Sequence, residues 1–383
     1  MRYTTAGESH GRALVTIVTD VPAGIPLNAA DIDSDLARRQ RGYGRGGRME
    51  IETDKATVLS GIRFGRTLGT PIALTIGNRD WDNWTDVMST WGEPVESARV
   101  TAPRPGHADL AGMLKIGSRD ARDILERASA RETAARVAAG AIGRALLREM
   151  GVSVSSYVVR IGDAVLADEI DPRSMDASHI ETSDVRCPDE AAAARMRAAI
   201  DAARTAGESL GGVFVVTATG LVPGLGGYAQ ADQRLDARLG AAVLSIPAIK
   251  GVEFGDGFEL AGRPGSLAHD AIRYESGSGF VRDTNRAGGL EGGMTNGEPL
   301  VIRGAMKPIP TLMTPLASVD IDTLASVDAS RERSDVCAVP AAAVVAEAEV
   351  ALVLATTYAE KFGGDSVADM RGALDAYLAR IAR

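Results

Sequence analysis

The chain has 383 residues, 45% of them hydrophobic, with 42 basic against 51 acidic side chains and a formal net charge of −9. That length and apolar content provide for a sizeable core and exclude disorder, and the acidic balance excludes general binding to nucleic acid or an anionic membrane, which need a broad positive surface. Cys187 and Cys337 are the two cysteines, too far apart for metal-type spacing, which fits a reducing cytoplasm without a disulfide framework.

Taken in order, the N-terminus lacks an apolar signal core, and residues 4–12 read Thr-Thr-Ala-Gly-Glu-Ser-His-Gly-Arg. Gly7 to Gly11 satisfies G-x-S-x-G, which would make Ser9 a hydrolase nucleophile, but that elbow opens a helix and Ala13–Asp20 alternates as a strand. His10 is a turn histidine or a functional one. Asn28, with Ile32 and Leu36 at helical spacing, predicts a capped helix ending in Arg38 and Arg39, where cations favour the helix dipole. That helix delivers the chain into residues 38–48, Arg-Arg-Gln-Arg-Gly-Tyr-Gly-Arg-Gly-Gly-Arg, with five arginines in eleven residues.

Positive charge this dense in an acidic chain calls for an anion, because guanidinium forks match phosphate and carboxylate oxygens two at a time. A solvated basic loop is the plain alternative. Gly42 to Gly47 also spells G-x-G-x-x-G, but a helix precedes it and the alternating Met49–Thr53 follows, the reverse of a dinucleotide fingerprint. An arginine-glycine RNA-binding segment would recur and work beside stacking aromatics; here there is one copy, and aromatics are 4% of the chain.

Ala56–Phe64 and Pro71–Ile76 read as a β-meander, and Trp81, Trp84 and Trp91 fall in a polar stretch that predicts an exposed loop or subunit contact. His107 sits on a Pro-Gly turn within residues 100–109. After Glu126-Arg-Ala-Ser-Ala-Arg-Glu-Thr-Ala an alanine-rich helix runs to Met150, stopped by Gly151; Ser129 and Glu132 fit a capping box as well as a functional role, and Gly140 and Gly143 predict a closely packed second helix. Ser153–Ile161 and Gly211–Gly220 are expected strands, Asp189–Ala206 a helix ended by Gly207, and Ala231–Ser245 a helix before the turn Ile246-Pro-Ala-Ile-Lys-Gly-Val. Residues 163–188 carry no motif. Residues 276–297 are rich in glycine, as a mobile lid or a wall against a flat ligand would be. Lys307-Pro-Ile-Pro-Thr follows the strand Leu300–Arg303. Residues 331–340 lead into a helix over Ala341–Ala359, with Ser334 or Asp335 as its possible cap, and a last helix spans Val367–Ile381. The apolar tract near the C-terminus is broken by Glu347 and Glu349, which argues against a membrane span. No repeat or linker divides the chain, so one α+β unit over residues 1–383 is expected.

The motifs Gly7-Glu-Ser-His-Gly-Arg, Arg38 to Met49, Arg104-Pro-Gly-His-Ala-Asp, Ser129-Ala-Arg-Glu-Thr-Ala, Lys250-Gly-Val-Glu and Arg333-Ser-Asp-Val-Cys-Ala-Val-Pro, in this order, resemble the chorismate synthase family along essentially the whole chain. The resemblance implies a β-α-β sandwich in a homotetramer. It also implies a carbon–oxygen lyase of the shikimate pathway, which feeds aromatic amino acid biosynthesis: 5-enolpyruvylshikimate 3-phosphate loses phosphate by anti-1,4-elimination to give chorismate, with reduced FMN required and no net redox change. By the same resemblance Arg39, Arg45, Arg48, Arg131 and Arg333 bind the anionic substrate, His107 serves the phosphate, His10 serves the flavin, Ser9 and Ser129 link them, and Asp335 assists the flavin nitrogen that takes the ring proton. The positions matching the FMN site are Arg127, Ala128, Ser129, Ala248, Gly292, Lys307, Pro308, Ile309, Pro310, Thr311 and Arg333. Relatives reduce their flavin with their own NADPH-dependent activity or rely on a separate reductase; with no nicotinamide motif in this sequence, a separate flavin reductase is expected. A substrate with a phosphate and two carboxylates demands several converging cations, and histidine suits proton transfer near neutral pH.

Overall fold

The computed structural model describes residues 1–46, 53–168, 170–277, 279–332 and 334–382. At its centre the helix Thr133–Glu149 meets the helix Val339–Phe362 at backbone contact, as Gly140 and Gly143 predict. A Cβ on Gly140 would lie 2.3 Å from that of Ala348, and one on Gly143 would crowd the Ala351 backbone at 3.2 Å. The helix Ala29–Gln40 packs beside them, its start fixed by a reciprocal capping box between Asn28 and Asp31.

Each side of this helical layer is closed by an antiparallel sheet. One has the spatial order Arg2–Ala6, Ala13–Thr19, Ile72–Gly77 and Ala56–Val58. Its alternation turns Leu14, Val18, Ile72, Leu74 and Ile76 inward, and the Thr16 hydroxyl donates to the Ala135 carbonyl at 3.0 Å. The other runs Ile249–Phe254, Leu300–Met306, Gly212–Thr219, Ser153–Ile161 and Ala164–Val165. The side chains that both sheets and the central helices turn towards one another form one main cluster, the expected α+β sandwich, while Tyr157 and Val215 on the second sheet pack separately with Ile180.

The helix Val339–Phe362 starts earlier and ends later than its sequence pattern indicates. By length and composition it could cross a membrane, but 89% of its most apolar window is buried. Its two carboxylates are matched inside the protein: Glu347 pairs with Arg38 and Arg144, and Glu349 accepts from Tyr3 at 2.6 Å and Arg136 at 3.1 Å.

Elsewhere the structure departs from expectation in instructive ways. The alanine-rich helix expected to end at Met150 is Thr133–Glu149; ahead of it a short helix Arg122–Ala128, unread in the sequence, ends at Ser129 and a 3-10 turn covers Ala130–Glu132. Ser129 caps that turn through the Arg131 N–H, but no capping box closes, because Glu132 is bonded to Thr5 and Arg136. A helix over Asp109–Ile116, unread in the sequence, follows the His107 turn. The glycine-rich stretch folds into the hairpins Ile272–Glu275 with Gly279–Arg282 and Leu290–Glu291 with Met294–Thr295. The expected alternation of Met49–Thr53 lies outside the described residues, apart from Thr53.

Candidate active site

The arginine loop, the residue 8–11 turn, the His107 turn and the segment Met306–Thr311 converge near the start of the helix Val339–Phe362, around a cavity of about 440 Å³. That is within the size range of small-molecule sites.

Arg39, Arg45 and Arg131 line it together. Arg39 and Arg131 share one buried carboxylate, Asp54, at 2.7 and 2.6 Å. Arg45 pairs with Asp335 at 2.8 Å, and the other Asp335 oxygen accepts the Gly46 N–H at 2.6 Å. Asp335 therefore braces the arginine loop, and neither it nor Ser334 caps the following helix, whose N-terminal residue Ala338 makes no side-chain cap. Burial, with the like charges of Arg131 and Arg45, pushes Arg39 down to about 10 against the pull of Asp54. The Arg39 Nε is buried with no hydrogen-bond partner among the described residues. Two guanidiniums held side by side on one carboxylate, beside a third at Arg45, concentrate positive charge at the cavity, as an anion site requires.

Each histidine is backed by a buried carboxylate. His10 Nδ1 lies 2.9 and 3.0 Å from the two Glu126 oxygens, and its backbone N–H donates to Oε2 at 2.8 Å. Burial alone would raise Glu126; the His10 contacts and Arg122 hold it below the usual range. Trp84 stacks on the imidazole with ring centroids 3.9 Å apart. His107 Nδ1 bonds Asp109, which is fully buried and also takes Arg104 Nε at 2.8 Å. Hydrogen bonds from His107 and Arg104 hold Asp109 well below the usual range despite burial. An ionised carboxylate beside Nδ1 of His10 favours the proton there and leaves Nε2 as the exchanging nitrogen of that ring. Nδ1 of His107, by contrast, is shared between Asp109 and Arg104 Nη2, the latter at 3.0 Å.

The Ser129 hydroxyl donates to the Ser9 hydroxyl at 3.1 Å, and the Ser9 N–H donates to the Glu126 carbonyl at 2.9 Å. Asn78 joins this turn to the arginines: its amide donates to the carbonyls of Glu8 and Gly11 at 3.1 and 2.6 Å, while its oxygen accepts Arg131 Nε at 2.9 Å. Much of the remaining wall is apolar, from Ile246, Pro247, Ala248, Ile309, Pro310 and Ala342. Ala248 stands at φ 69°, a strained conformation outside glycine, and its carbonyl accepts the Lys307 N–H at 3.0 Å. Lys307 Nζ donates to the Gly106 carbonyl at 2.7 Å, and burial with nearby Lys250 pushes its pKa down.

The structure thus brings Ser9, His10, Arg39, Arg45, His107, Ala128, Ser129, Arg131, Ala248, Lys307, Ile309, Pro310, Thr311 and Asp335 to one cavity. Arg127, Pro308 and Gly292 are not in its wall. Arg127 is exposed and donates to the Thr5 and Gly7 carbonyls, Pro308 faces outward between two lining residues, and Gly292 turns the hairpin of Leu290–Glu291 and Met294–Thr295. Arg48 and Arg333 lie outside the described residues. Sequence reasoning missed Trp84, expected in an exposed loop or contact, and the carboxylates Asp54, Asp109 and Glu126. Asp109 alone left a local signal, two positions after His107.

The two other functional readings fail on this geometry. Residues 7–12 join two neighbouring antiparallel strands, so Ser9 is on no strand-turn-helix elbow. Arg38, Arg39 and Arg45 turn inward onto carboxylates instead of presenting an RNA-binding face.

The family model described as chorismate synthase matches residues 1–359. A chorismate synthase of Symbiobacterium thermophilum is 58% identical with all of both chains covered, and one of Moorella thermoacetica is 58% identical over 98% of each. A crystal structure of chorismate synthase superposes with a TM-score of 0.81 at 42% identity, covering all of this chain and 98% of the other.

Proposed function

The chain belongs to the chorismate synthase family, and from that premise we propose that it converts 5-enolpyruvylshikimate 3-phosphate to chorismate by eliminating phosphate, with reduced FMN bound in the same cavity. The observation that carries the reading is the convergence of Arg39, Arg45 and Arg131, two carboxylate-backed histidines and an apolar wall on one cavity. The arginines suit a substrate bearing a phosphate and two carboxylates. The apolar surface from Ala248, Ile309 and Pro310, with Lys307 and Thr311 at its edge, suits a flat ring carrying its own phosphate.

Reduced flavin, when bound, supplies electron density to the ring as phosphate departs and recovers it with the ring proton, so the sum is redox-neutral. The protein's own groups bind, orient and move protons. Arg39 and Arg131 hold the anionic groups of the substrate. The contacts support assigning the two histidines the other way round from the family resemblance as read in the sequence. The His107 turn is tied to the segment matching the flavin site, through Arg104 Nη1 to Thr311 at 3.1 Å and Lys307 to Gly106. The His10 turn is tied to a substrate arginine through Asn78, which donates to Gly11 and accepts from Arg131, while its Ser9–Ser129 bond touches a position shared with the flavin match. His107 then serves the flavin, and His10 Nε2 gives its proton to the departing phosphate.

We further propose that residues 1–383 act as one unit within a homotetramer in the cytoplasm, supplied by a separate flavin reductase. The deciding assay measures chorismate and phosphate anaerobically. Product should be absent with oxidised FMN and appear on adding dithionite. It should consume far less than one equivalent of reductant per turnover; stoichiometric consumption, or full activity with oxidised FMN, would overturn the proposal.

A further inference from the structure

Nothing in the motif pattern gives Asp54 a role, yet its side chain is fully buried and contacts two of the cavity's arginines. Arg39 Nη2 is 2.7 Å from one of its oxygens and Arg131 Nη1 is 2.6 Å from the other. Both arginines have further side-chain tethers: Arg39 Nη1 reaches the Thr133 hydroxyl at 3.4 Å, and Arg131 Nε reaches Asn78 at 2.9 Å. Asp54 is itself fixed, its N–H donating to the Gln40 side-chain oxygen at 3.0 Å. Two buried guanidiniums of like charge repel, and a carboxylate with one oxygen on each both offsets that repulsion and sets their separation. Burial alone would raise the Asp54 carboxyl, but the two arginines hold it low, so it stays ionised.

We propose that Asp54 is a positioning residue for the elimination, holding Arg39 and Arg131 side by side so that both guanidiniums address the anionic substrate. The inference rests on the reading above that these arginines bind substrate. A carboxylate acting only as a counter-charge would have the opposite signature, because it would weaken anion binding and its removal would tighten it. A carboxylate acting by placement must stay where it is, whatever the charge balance.

Two substitutions separate these roles. Asp54→Glu keeps the charge and displaces the carboxylate by about one carbon–carbon bond, roughly 1.5 Å. Asp54→Asn keeps the shape, removes the charge and brings an N–H donor against a guanidinium. Under the proposal both raise the KM for 5-enolpyruvylshikimate 3-phosphate by about tenfold or more, consistent with a lost charge-assisted contact, while kcat falls less. Thermal unfolding and the absorption change on adding FMN establish that each variant is folded. If Asp54→Asn does not fold, Asp54→Glu alone decides. A Glu variant with parental KM and kcat, or an Asn variant with lowered KM, overturns the proposal. Parental protein that fails to turn over this substrate, or Arg39→Gln with unchanged KM, overturns the underlying site reading instead.

Discussion

His10 lies against Trp84 with ring centroids 3.9 Å apart and planes 23° from parallel, and Arg122 closes the arrangement. The Arg122 guanidinium is 5.1 Å from the Trp84 ring centre and 2.9 Å from Glu126, which holds His10 Nδ1. The imidazole is thus fixed by a carboxylate at its edge and an indole on its face. Stacking of this kind is worth about 0.5–1.5 kcal/mol, so Trp84→Ala should cost roughly two- to tenfold in turnover. Trp84→Phe should restore most of it. Steady-state assays of the two variants check this; an unaffected Trp84→Ala would remove the stack from the mechanism.

What was legible in the sequence was local. Asn28 capping a helix carried by Ile32 and Leu36, and Gly207 at a helix end, are signals a few residues long, and the structure holds both. The spacing of Gly140 and Gly143 revealed a close helix contact because only missing side chains permit it. Trp84 and Asp54 were not legible, since their meaning depends on partners brought in by the fold: Trp84 meets His10 from 74 positions away, and Asp54 meets Arg131 from 77. Ser129 was half legible. Its capping of the Arg131 N–H is a local pattern, whereas its bond to Ser9 crosses 120 positions.

The helix contact itself can be tested. Gly140→Ala would drive a methyl to 2.3 Å from the Ala348 Cβ, with backbone on the far side that has nowhere to move. Overpacking of this kind costs about 1–3 kcal/mol. Gly372→Ala, also helical but with nothing within 4 Å, should gain about 0.5–1 kcal/mol from helix propensity. Calorimetry should therefore show the two melting temperatures moving in opposite directions.

Acid should act on the core through Glu347, which is completely buried and held down to about 2 by Arg144 and Arg38 despite burial, against an ordinary value of 4.5. A carboxyl whose folded value is depressed stabilises the fold above its unfolded value and loses that contribution as pH falls from 4.5 towards 2. Glu347→Gln should cost about 3–5 kcal/mol at pH 7, since Arg38 and Arg144 lose their buried partner. The gap from the parent should narrow across that acidic window. Urea midpoints at pH 7 and through the window test it; a gap independent of pH would show that Glu347 is not the titrating group.

Neither cysteine should take part in the chemistry. Both are buried, and burial pushes Cys337 up to about 11 and raises Cys187 as well. A thiol-reactive disulfide should label the native protein slowly and the unfolded protein rapidly. The double Cys→Ala variant should keep turnover within about threefold of the parent, because buried thiols of raised pKa are poor nucleophiles.

The two histidines give the sharpest division, because their tethers predict different losses. His107 belongs to the turn that Lys307 and Arg104 bind to the Met306–Thr311 segment, so His107→Ala should change the affinity for FMN or its absorption spectrum before any substrate is added. His10 belongs to the turn that Asn78 binds to Arg131, so His10→Ala should leave flavin binding near the parental level. It should still lose on the order of 10²–10⁴ in turnover, the range for a positioned proton donor. Flavin fluorescence titration without substrate separates the cases independently of activity. A flavin response changed in His10→Ala and unchanged in His107→Ala would return the histidines to the assignment implied by the family motifs alone. Glu126→Gln then becomes informative: it keeps a side-chain oxygen for His10 Nδ1–H but removes the charge that stabilises the imidazolium, and should follow His10→Ala in direction with a smaller loss.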